Sequence, residues 1–543
     1  MNETFSFSSR FPSIEEAWSP QALISTQSVP YLLGIILAML TTYSWATSNP
    51  SLKKLPYVNA PSLLSSTQAK ASQAMKKPMS NMSLMSSAQR KFQNSAQTIL
   101  RSARKQYPNR PYRMTTDLGE VVMLQSEWFQ EIRNNSSLSF FGTVPQERMC
   151  EIPGFKPFAA LGEDGVLLQI IARKQLTKLL AQVTAPLSEE IAFAVALNLG
   201  ESTESREIIL MPVIRDITAR MSSRVFLGQK LARDEAWLQI TKGYTVDATH
   251  GLNLLAKYPV NLRPYIGWLF PECRRMGKYY KRAKDLIDPV MKERDDMRRA
   301  AAAASEPAPV FHDALEWIVQ ESKALNSGYD AATFQLIMSV VAISTTADTL
   351  HSILVNLIQH PEFMQTVREE IIQVLKAEGW NKTSLYNMKA LDSAMKESQR
   401  IKPIFLEADT KLSDGTVLKK GYRVHIDTHR MMDPEIYEAP EEWRGDRFLQ
   451  LRSQPGKEHG AQLVATSVDH FAFGHGEHAC PGRFFAAIEM KVALCHLLIK
   501  YDWELAPGTD TSTVFTGFSQ RVNHATKVLC RKRETVEIDI DSI

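Results

Sequence analysis

Cysteine is scarce in this sequence. The chain has 543 residues but only five cysteines, spread at wide intervals: Cys150, Cys273, Cys480, Cys495 and Cys530. An odd number at such spacings excludes a disulfide scaffold and a paired C-x-x-C zinc site. Glycine and proline are too few for a fibrous or disordered chain, and 44% of residues are hydrophobic. We therefore expect a globular protein facing a reducing compartment, with either several domains or one unusually large one.

One early segment has no charged residue, and the segment that follows it has no acidic residue. No charged residue lies between Glu16 and Lys53, and residues 29–45 are almost wholly apolar or small, close to the ~20 residues that span a bilayer. The residues before this run are mostly acidic where charged, unlike a cleaved signal peptide. Residues 53–116 contain twelve Lys or Arg and no Asp or Glu, which by the positive-inside rule places the body in the cytoplasm. These patterns predict a lumenal N-terminus and transmembrane anchor in residues 1–52.

The basic stretch has two possible partners. Next to a membrane, its Lys and Arg side chains would be attracted to anionic lipid. Nucleic acid is the alternative, but the aromatic and glycine interleaving of RNA-binding strands is missing, so no nucleic-acid partner is expected. We interpret residues 53–116 as a basic membrane-proximal hinge and first helix. The remaining residues, 117–543, are mildly acidic, with 50 basic and 56 acidic side chains.

Helical periodicity dominates the chain after the basic stretch. The pattern predicts helices at 87–106, 185–197, 205–227, 276–300, 331–359, 390–401 and 484–498. Short hairpins are expected at 112–124 and, turned at Asp414-Gly415, at 412–426, with a surface loop at 300–309. The fold class is thus mainly α with a minor β part. Residues 117–543 are expected to form the catalytic domain, as one fold with residues 53–116.

The most informative stretch is FGHGEHACPGR at residues 473–483. Gly474 and Gly476 let the backbone bend sharply and approach a flat ligand closely. Pro481 suits the first turn of a helix, which would place the Cys480 thiolate at a helix N-terminus, where the dipole and unpaired N–H groups stabilise it. The stretch therefore predicts a thiolate that binds a metal.

Two other interpretations start from the same residues. His475, His478 and Cys480 could bind zinc, but three ligands within six residues and no fourth nearby do not make a closed site. Cys480 could instead be a buried structural thiol, the usual fate of a lone cysteine in an apolar segment.

The stretch resembles the haem-binding loop of the cytochrome P450 superfamily, F-x-x-G-x-R-x-C-x-G. Phe473, Gly476, Cys480 and Gly482 match it, and His478 stands where Arg is commonest. The resemblance implies haem b, with Cys480 as the axial ligand of the iron and His478 donating to a haem propionate. The form with His followed by C-P-G-R-F-F is similar to fungal microsomal enzymes that oxidise terpenoids.

Two further motifs extend the resemblance. Glu397 and Arg400 lie at i, i+3 on a predicted helix about 80 residues before the cysteine, where the family has its E-x-x-R. On its own this spacing also fits an exposed surface pair. The resemblance implies a buried set completed by Arg447, with a structural role.

The second motif lies in the long apolar helix 331–359. Ser344 and Thr345 could simply bond back to the preceding turn of a core helix. By resemblance, this is the oxygen-activating segment, usually A-G-x-[D/E]-T-[T/S]. Thr345 aligns with its hydroxyl and Ser344 replaces its acid, so proton delivery would use hydroxyls and water.

The resemblance implies a monooxygenase that oxidises an apolar small molecule, such as a terpenoid or meroterpenoid of fungal secondary metabolism, at the endoplasmic reticulum membrane. No glycine fingerprint for flavin or nicotinamide follows a strand, so electrons would come from a separate NADPH-cytochrome P450 reductase. Arg483 and Lys491 are candidate contacts for it, and Arg173 or Lys174 for the second propionate. The alternatives are a P450-type isomerase or dehydratase, which needs no external electrons, and a non-catalytic membrane haem-binding protein.

Overall fold

The structure is a computed structural model that describes residues 54–61, 85–117, 119–135, 149–161, 165–258, 260–401 and 423–543. From Tyr57 onwards these residues belong to one compact unit. The predicted membrane anchor and most of the predicted hinge lie outside the described residues.

Helices make up most of the described chain. They are α1 Ser87–Gln106, α2 Phe129–Ile132, α3 Gly165–Ile170, α4 Thr177–Leu199, α5 Leu210–Ala232, α6 Glu235–Leu255, α7 Arg263–Ile266, α8 Pro271–Ala303, α9 Ala314–Ala324, α10 Ala331–Gln359, α11 Pro361–Glu378, α12 Lys382–Asn387, α13 Lys389–Ile401, α14 Arg447–Arg452 and α15 Arg483–Lys500. A π-helical turn, Ile171–Leu176, joins α3 to α4, and short 3-10 turns, including Gly476–His478, connect other elements.

The strands form three small sheets at the edges of the helical body. They are β1 Tyr57–Val58, β2 Tyr112–Thr116, β3 Gly119–Leu124, β4 Arg206–Ile209, β5 Val424–Ile426, β6 Tyr501–Leu505, β7 Thr513–Thr516, β8 Ser519–Val522 and β9 Lys527–Lys532. The first sheet has the order β1-β2-β3-β5, the second β4-β9-β6, and β7 pairs with β8. The antiparallel register of β2 and β3 runs from Tyr112 opposite Met123 to Thr116 opposite Gly119.

α10 is the central helix of the core. It begins after Asp330, whose side chain accepts a hydrogen bond from the backbone N–H of Thr333 and so caps the first turn. It packs against α5, α6, α8, α13 and α15. Among the described residues, α10 alone is long and apolar enough to cross a membrane, yet 61% of its most apolar window is buried inside the protein. It is therefore the core helix of the fold.

Most predicted elements are confirmed, and the differences have local causes. Helices 87–106 and 331–359 have the predicted bounds. The helix predicted at 205–227 starts only at Leu210, because the residues before it form β4 and pair with β9. The predicted loop 300–309 is helical as far as Ala303. Of the predicted hairpin 412–426, only the strand β5 lies within the described residues, and it runs parallel to β3.

A buried carboxyl group lies between α15 and α5. Glu489 is fully buried, accepts one hydrogen bond from the Ser222 hydroxyl at 2.9 Å, and its Oε2 has no hydrogen-bond partner. Burial raises the pKa of Glu489 to about 8. Between the pKa of this group in the unfolded chain and about pH 8, the folded protein keeps Glu489 protonated while the unfolded chain ionises it. The free energy of unfolding therefore falls as the pH rises through that range.

We expect Glu489→Gln to remove this pH dependence. The free energy of unfolding of the variant relative to the wild type should rise by about 1.4 kcal/mol per pH unit between roughly pH 5 and 8, because glutamine does not titrate. Thermal unfolding of both proteins across that range measures the difference. A constant difference would mean that Glu489 ionises normally in the folded protein.

Candidate active site

The loop before Cys480 is bent tightly by its own backbone. The backbone N–H of Cys480 donates to the carbonyl of Phe473 at 2.7 Å, closing the loop. Gly474 and Gly476 have φ values of 71° and 69°, in the left-handed region that favours glycine. A Cβ at Gly476 would lie 2.4 Å from the carbonyl oxygen of Arg133. Residue 476 therefore needs glycine both for its conformation and for close packing.

The segment 133–135, which follows α2, contacts this loop through side-chain and backbone atoms. The Arg133 guanidinium lies 3.2 Å from Nε2 of His475, and the carbonyl of Arg133 accepts from the backbone N–H of Glu477 at 3.0 Å. His478 Nε2 lies 3.2 Å from the carbonyl of Asn135. No pattern in the sequence marks this segment, because its partners are about 340 residues away. Since His478 already contacts Asn135 through Nε2, only its Nδ1 is left for an anionic ligand.

Cys480 is a half-buried thiol close to the start of α15. Burial raises the pKa of the Cys480 thiol, while the backbone N–H groups of Gly482 and Arg483 and the Arg483 charge oppose that rise. The helix begins at Arg483, so the prediction that Pro481 opens its first turn was wrong by two residues. The donors around the sulfur still favour a thiolate once a cation replaces the proton.

Glu397 and Arg400 on α13 form a fully buried bidentate pair. Both side chains are 0% exposed, and Nε and Nη2 of Arg400 each donate to a Glu397 oxygen at 2.8 Å. Arg447, the first residue of α14, donates from Nε to Glu397 Oε1 at 2.9 Å. The structure thus brings together Glu397, Arg400 and Arg447, the three charged residues that the family resemblance links. The remaining Arg400 donors reach the carbonyls of Met431 and Pro440.

Lys396 binds the chain between α14 and the cysteine loop through hydrogen bonds, although no pattern in the sequence points to this role. It is 1% exposed, and burial lowers its pKa to about 7. Its ammonium donates to three backbone carbonyls, those of Gly460, Gln462 and Ala465, at 3.3, 2.7 and 2.8 Å. α13 therefore fixes both ends of the segment that leads to Cys480.

The N-terminus of α13 is itself capped from a neighbouring helix. The carboxylate of Glu370 on α11 accepts from the backbone N–H groups of Lys389, Ala390 and Leu391 at 2.7, 2.7 and 3.0 Å. A carboxylate here satisfies donors that have no partner inside the helix and complements the helix dipole. The helix that carries Lys396 and Glu397 is thereby fixed to the core.

One face of α10 is accessible although the helix is otherwise buried. Val341 is 46% exposed and Thr345 is also exposed, whereas Ile343 and Ala347 are fully buried. The hydroxyls of Thr345 and Ser344 donate to the carbonyls four residues earlier, at 2.7 and 2.9 Å. Their protons are thus used inside the helix, while the oxygen of Thr345 remains free to accept a hydrogen bond.

The other candidate cations fall into two groups. Arg173 donates to the carbonyl of Glu477 at 2.9 Å and so contacts the cysteine loop, whereas Lys174 points elsewhere and pairs with Glu321. Arg483 donates to the carbonyl of Cys480 at 2.9 Å.

Lys491 was predicted as an exposed docking contact, and this was wrong. Its side chain is 6% exposed, pairs with Asp392 at 2.6 Å and donates to the carbonyl of Leu385. Helical spacing could not reveal that α12 covers this face of α15. A buried, paired lysine cannot contact a protein partner.

The described residues fit a haem better than a zinc ion. They contain no group of three His, Cys, Asp or Glu side chains placed to hold a metal ion. Cys480 is therefore a single thiolate donor, and the cations Arg133 and Arg173 lie at its loop. The accessible face of α10 at Val341 and Thr345 combines an exposed apolar side chain with a hydroxyl. A haem needs one axial donor, cations for its propionates and such a face.

Comparisons with known proteins agree with this geometry. A family model described as cytochrome P450 matches residues 173–529. The chain is 41% identical over 446 residues to cytochrome P450 monooxygenase hepE of Aspergillus oryzae, covering 81% of each chain. It is 39% identical over 530 residues to a cytochrome P450 monooxygenase of Gibberella fujikuroi, covering 95% of this chain and 98% of the relative.

A solved structure shares the fold at much lower sequence identity. The retinoic acid-bound cyanobacterial CYP120A1 superposes with a TM-score of 0.59 at 17% identity, over 81% of this chain and 95% of the other. The predicted fold is thus confirmed, and haem b is the cofactor that this family and fold hold. The chain belongs to the cytochrome P450 family of haem-dependent monooxygenases.

Proposed function

We propose that the chain hydroxylates or otherwise oxidises an apolar small molecule, a terpenoid or meroterpenoid of fungal secondary metabolism, with O₂ and electrons from an NADPH-cytochrome P450 reductase. The observation that carries this proposal is the Cys480 loop: a half-buried thiol in a loop closed by a backbone hydrogen bond, with two N–H donors at the sulfur. The fungal monooxygenases named above support the oxidation, and the substrate class rests on the resemblance of the form with His followed by C-P-G-R-F-F to terpenoid-oxidising enzymes.

The residues around the loop have separate roles in this proposal. Cys480 would hold the haem iron through its sulfur, Phe473 would shield that sulfur, and Gly476 and Gly482 give the loop its shape. Because Nε2 of His478 already donates to the carbonyl of Asn135, His478 would donate to a propionate from Nδ1 in its imidazolium form, and Arg173 would hold the second propionate. When bound, the haem supplies the oxygen chemistry, and the protein orients the substrate and controls water.

Glu397, Arg400 and Arg447 take no part in the chemistry. They fix the segment after α13 because every member of the set is paired, and a single unpaired member would cost several kcal/mol. Thr345 holds a water molecule at the accessible face of α10 by accepting its hydrogen bond at Oγ1, and Ser344 puts a hydroxyl where the family's motif has a carboxylate. Protons therefore reach the substrate side through hydroxyls and ordered water.

Purified full-length protein with recombinant reductase tests the function directly. We expect NADPH oxidation and an oxygenated product when terpenoids are supplied. Product formation without NADPH consumption would identify an isomerase or dehydratase instead, and neither product nor NADPH use across terpenoid, polyketide and fatty-acid panels would contradict the monooxygenase assignment.

Thr345→Ala should uncouple electron use from product formation. The variant keeps its haem and substrate binding, because the hydroxyl contributes only one internal hydrogen bond. Product per NADPH should fall roughly tenfold, with peroxide making up the difference, since the water that Thr345 positions for proton transfer loses its acceptor. Thr349→Val, one turn further along, is the matched control. If Thr345→Ala remains fully coupled, protons take another route.

We also propose that residues 1–52 anchor the protein in the endoplasmic reticulum membrane, with the catalytic body in the cytoplasm and residues 53–116 close to anionic lipid. The support is the uncharged run at 29–45 and the basic stretch that follows it. A fusion of residues 1–52 to a soluble reporter should sediment with microsomes and resist extraction by carbonate. A reporter that stays in the supernatant would disprove the anchor.

A further inference from the structure

A carboxylate lies on the same accessible face of α10 as Thr345. Val341, Thr345 and Asp348 follow each other at i, i+4 and i+7, which places them on one face of the helix. Val341 is 46% exposed, and the Asp348 side chain is 38% exposed. Between them, Ile343, Thr346 and Ala347 are buried. Asp348 is therefore an acidic group on the accessible face, one turn from Thr345.

Among the residues that the structure describes, Asp348 has a single charged partner, which comes from a distant part of the chain. Its Oδ1 lies 2.9 Å from Nε2 of His524, a residue between β8 and β9. The distance suits an ion pair, although the Nε2–H direction is not aligned for a hydrogen bond. The His524 ring meets the ring of His351 edge-on at 6.0 Å. Within the described chain, no hydrogen-bond donor contacts the carboxylate of Asp348.

The neighbouring hydroxyls cannot act as proton sources alone. Ser344, which occupies the place of the usual acid, is half-buried and donates its proton to the carbonyl of Val340. Thr345 donates to the carbonyl of Val341 and can only accept from water. Three residues of helix advance the chain by about 4.5 Å, a gap that one or two water molecules bridge. The carboxylate of Asp348 is thus within reach of water held at Thr345.

We propose that the Asp348–His524 pair supplies the protons that a carboxylate at position 344 would otherwise supply. This inference rests on the proposed function. Protonated His524 passes a proton through solvent water to Asp348, the carboxyl group of Asp348 gives a proton to water at Thr345 Oγ1, and solvent restores the proton on His524. The overall reaction stays balanced: substrate RH, O₂, NADPH and H⁺ give ROH, H₂O and NADP⁺. Asp348 and His524 act through water and touch neither substrate nor cofactor.

The first test compares coupling in four haem-loaded proteins. Asp348→Asn should lower product per NADPH at least about fivefold and raise peroxide, while NADPH oxidation itself changes less than about twofold. Asp348→Glu should recover most of the coupling. Ser344→Asp combined with Asp348→Asn should also recover it, because that variant restores a carboxylate next to Thr345. Glu504→Gln, which removes an exposed carboxylate on β6, is the control and should match the wild type.

A second measurement needs no turnover and therefore separates this inference from the proposed function. The infrared stretch of CO bound to the reduced protein senses charge on the Thr345 side of the site. Asp348→Asn should shift that stretch, and Glu504→Gln should leave it in place. The inference is overturned if Asp348→Asn leaves both the CO stretch and the coupling unchanged. Weaker substrate binding with unchanged coupling would overturn it too, since the pair would then recognise the substrate rather than deliver protons.

Discussion

Cys480→Ser is expected to abolish thiolate ligation and turnover together. A neutral hydroxyl is a poor iron ligand and donates little electron density, so the reduced protein with CO should lose the long-wavelength band of a thiolate-bound haem. Product formation should fall at least about a thousandfold, the scale on which an essential group acts. The absorption spectrum of the reduced CO complex and the rate of product formation with reductase are the two measurements.

The chain offers a matched control for this substitution. Cys495 lies on α15, the helix that follows Cys480, is fully buried and contacts Met388 through sulfur at 3.7 Å. Burial raises the pKa of the Cys495 thiol, so it stays protonated and packs as a small hydrophobic group. Cys495→Ala should keep the thiolate band and lose only some stability. If Cys480→Ser keeps the band and Cys495→Ala loses it, the ligand assignment is wrong.

Glu397→Ala should have the largest effect on folding. The substitution leaves Arg400 and the partly covered Arg447 without their shared carboxylate, and breaking such a buried set costs about 3–5 kcal/mol. We expect little haem-loaded protein, because the segment that leads to Cys480 loses its fixed point. Yield of holoprotein per total protein and the apparent Tm measure the loss.

Two further variants test this prediction if Glu397→Ala does not accumulate as folded protein. Glu397→Gln retains the shape and part of the hydrogen bonding, so it should fold with a lowered Tm and reduced haem content. Glu537→Ala removes a carboxylate from an i, i+4 pair with Arg533 at the surface, where the Glu537 side chain is 47% exposed, and should change the stability by less than about 1 kcal/mol. Equal behaviour of the Glu397 and Glu537 variants would show that burial of the first pair does not matter.

The parts of the site that could be predicted from the sequence are those whose residues lie close together in a recognisable spacing. The glycines and the cysteine of the 473–483 loop lie within eleven residues, and Glu397 and Arg400 are one helical turn apart, so spacing alone relates them. Arg447 needed the family resemblance, since it is 50 residues from Glu397. The long helices were predictable because their apolar periodicity continues over many turns.

The rest was not predictable because the partners are either backbone atoms or residues far along the chain. Lys396 bonds to three carbonyls, which any residue provides, so no pattern of side chains marks its role. Asp348 and His524 are on separate elements 176 positions apart. Lys491 looked exposed because an amphipathic pattern says which face is polar but not whether a polar side chain is buried by another helix.

The contacts between residues 133–135 and the cysteine loop also set an order of events during synthesis. The two segments are 342 residues apart, measured from Arg133 to His475. At ~5–20 residues per second, a ribosome needs roughly 20 to 70 s to reach the loop after it has made the segment that supports it. During synthesis, the supporting segment therefore lacks its partner for about that long. Haem can bind only after nearly the whole protein has been made.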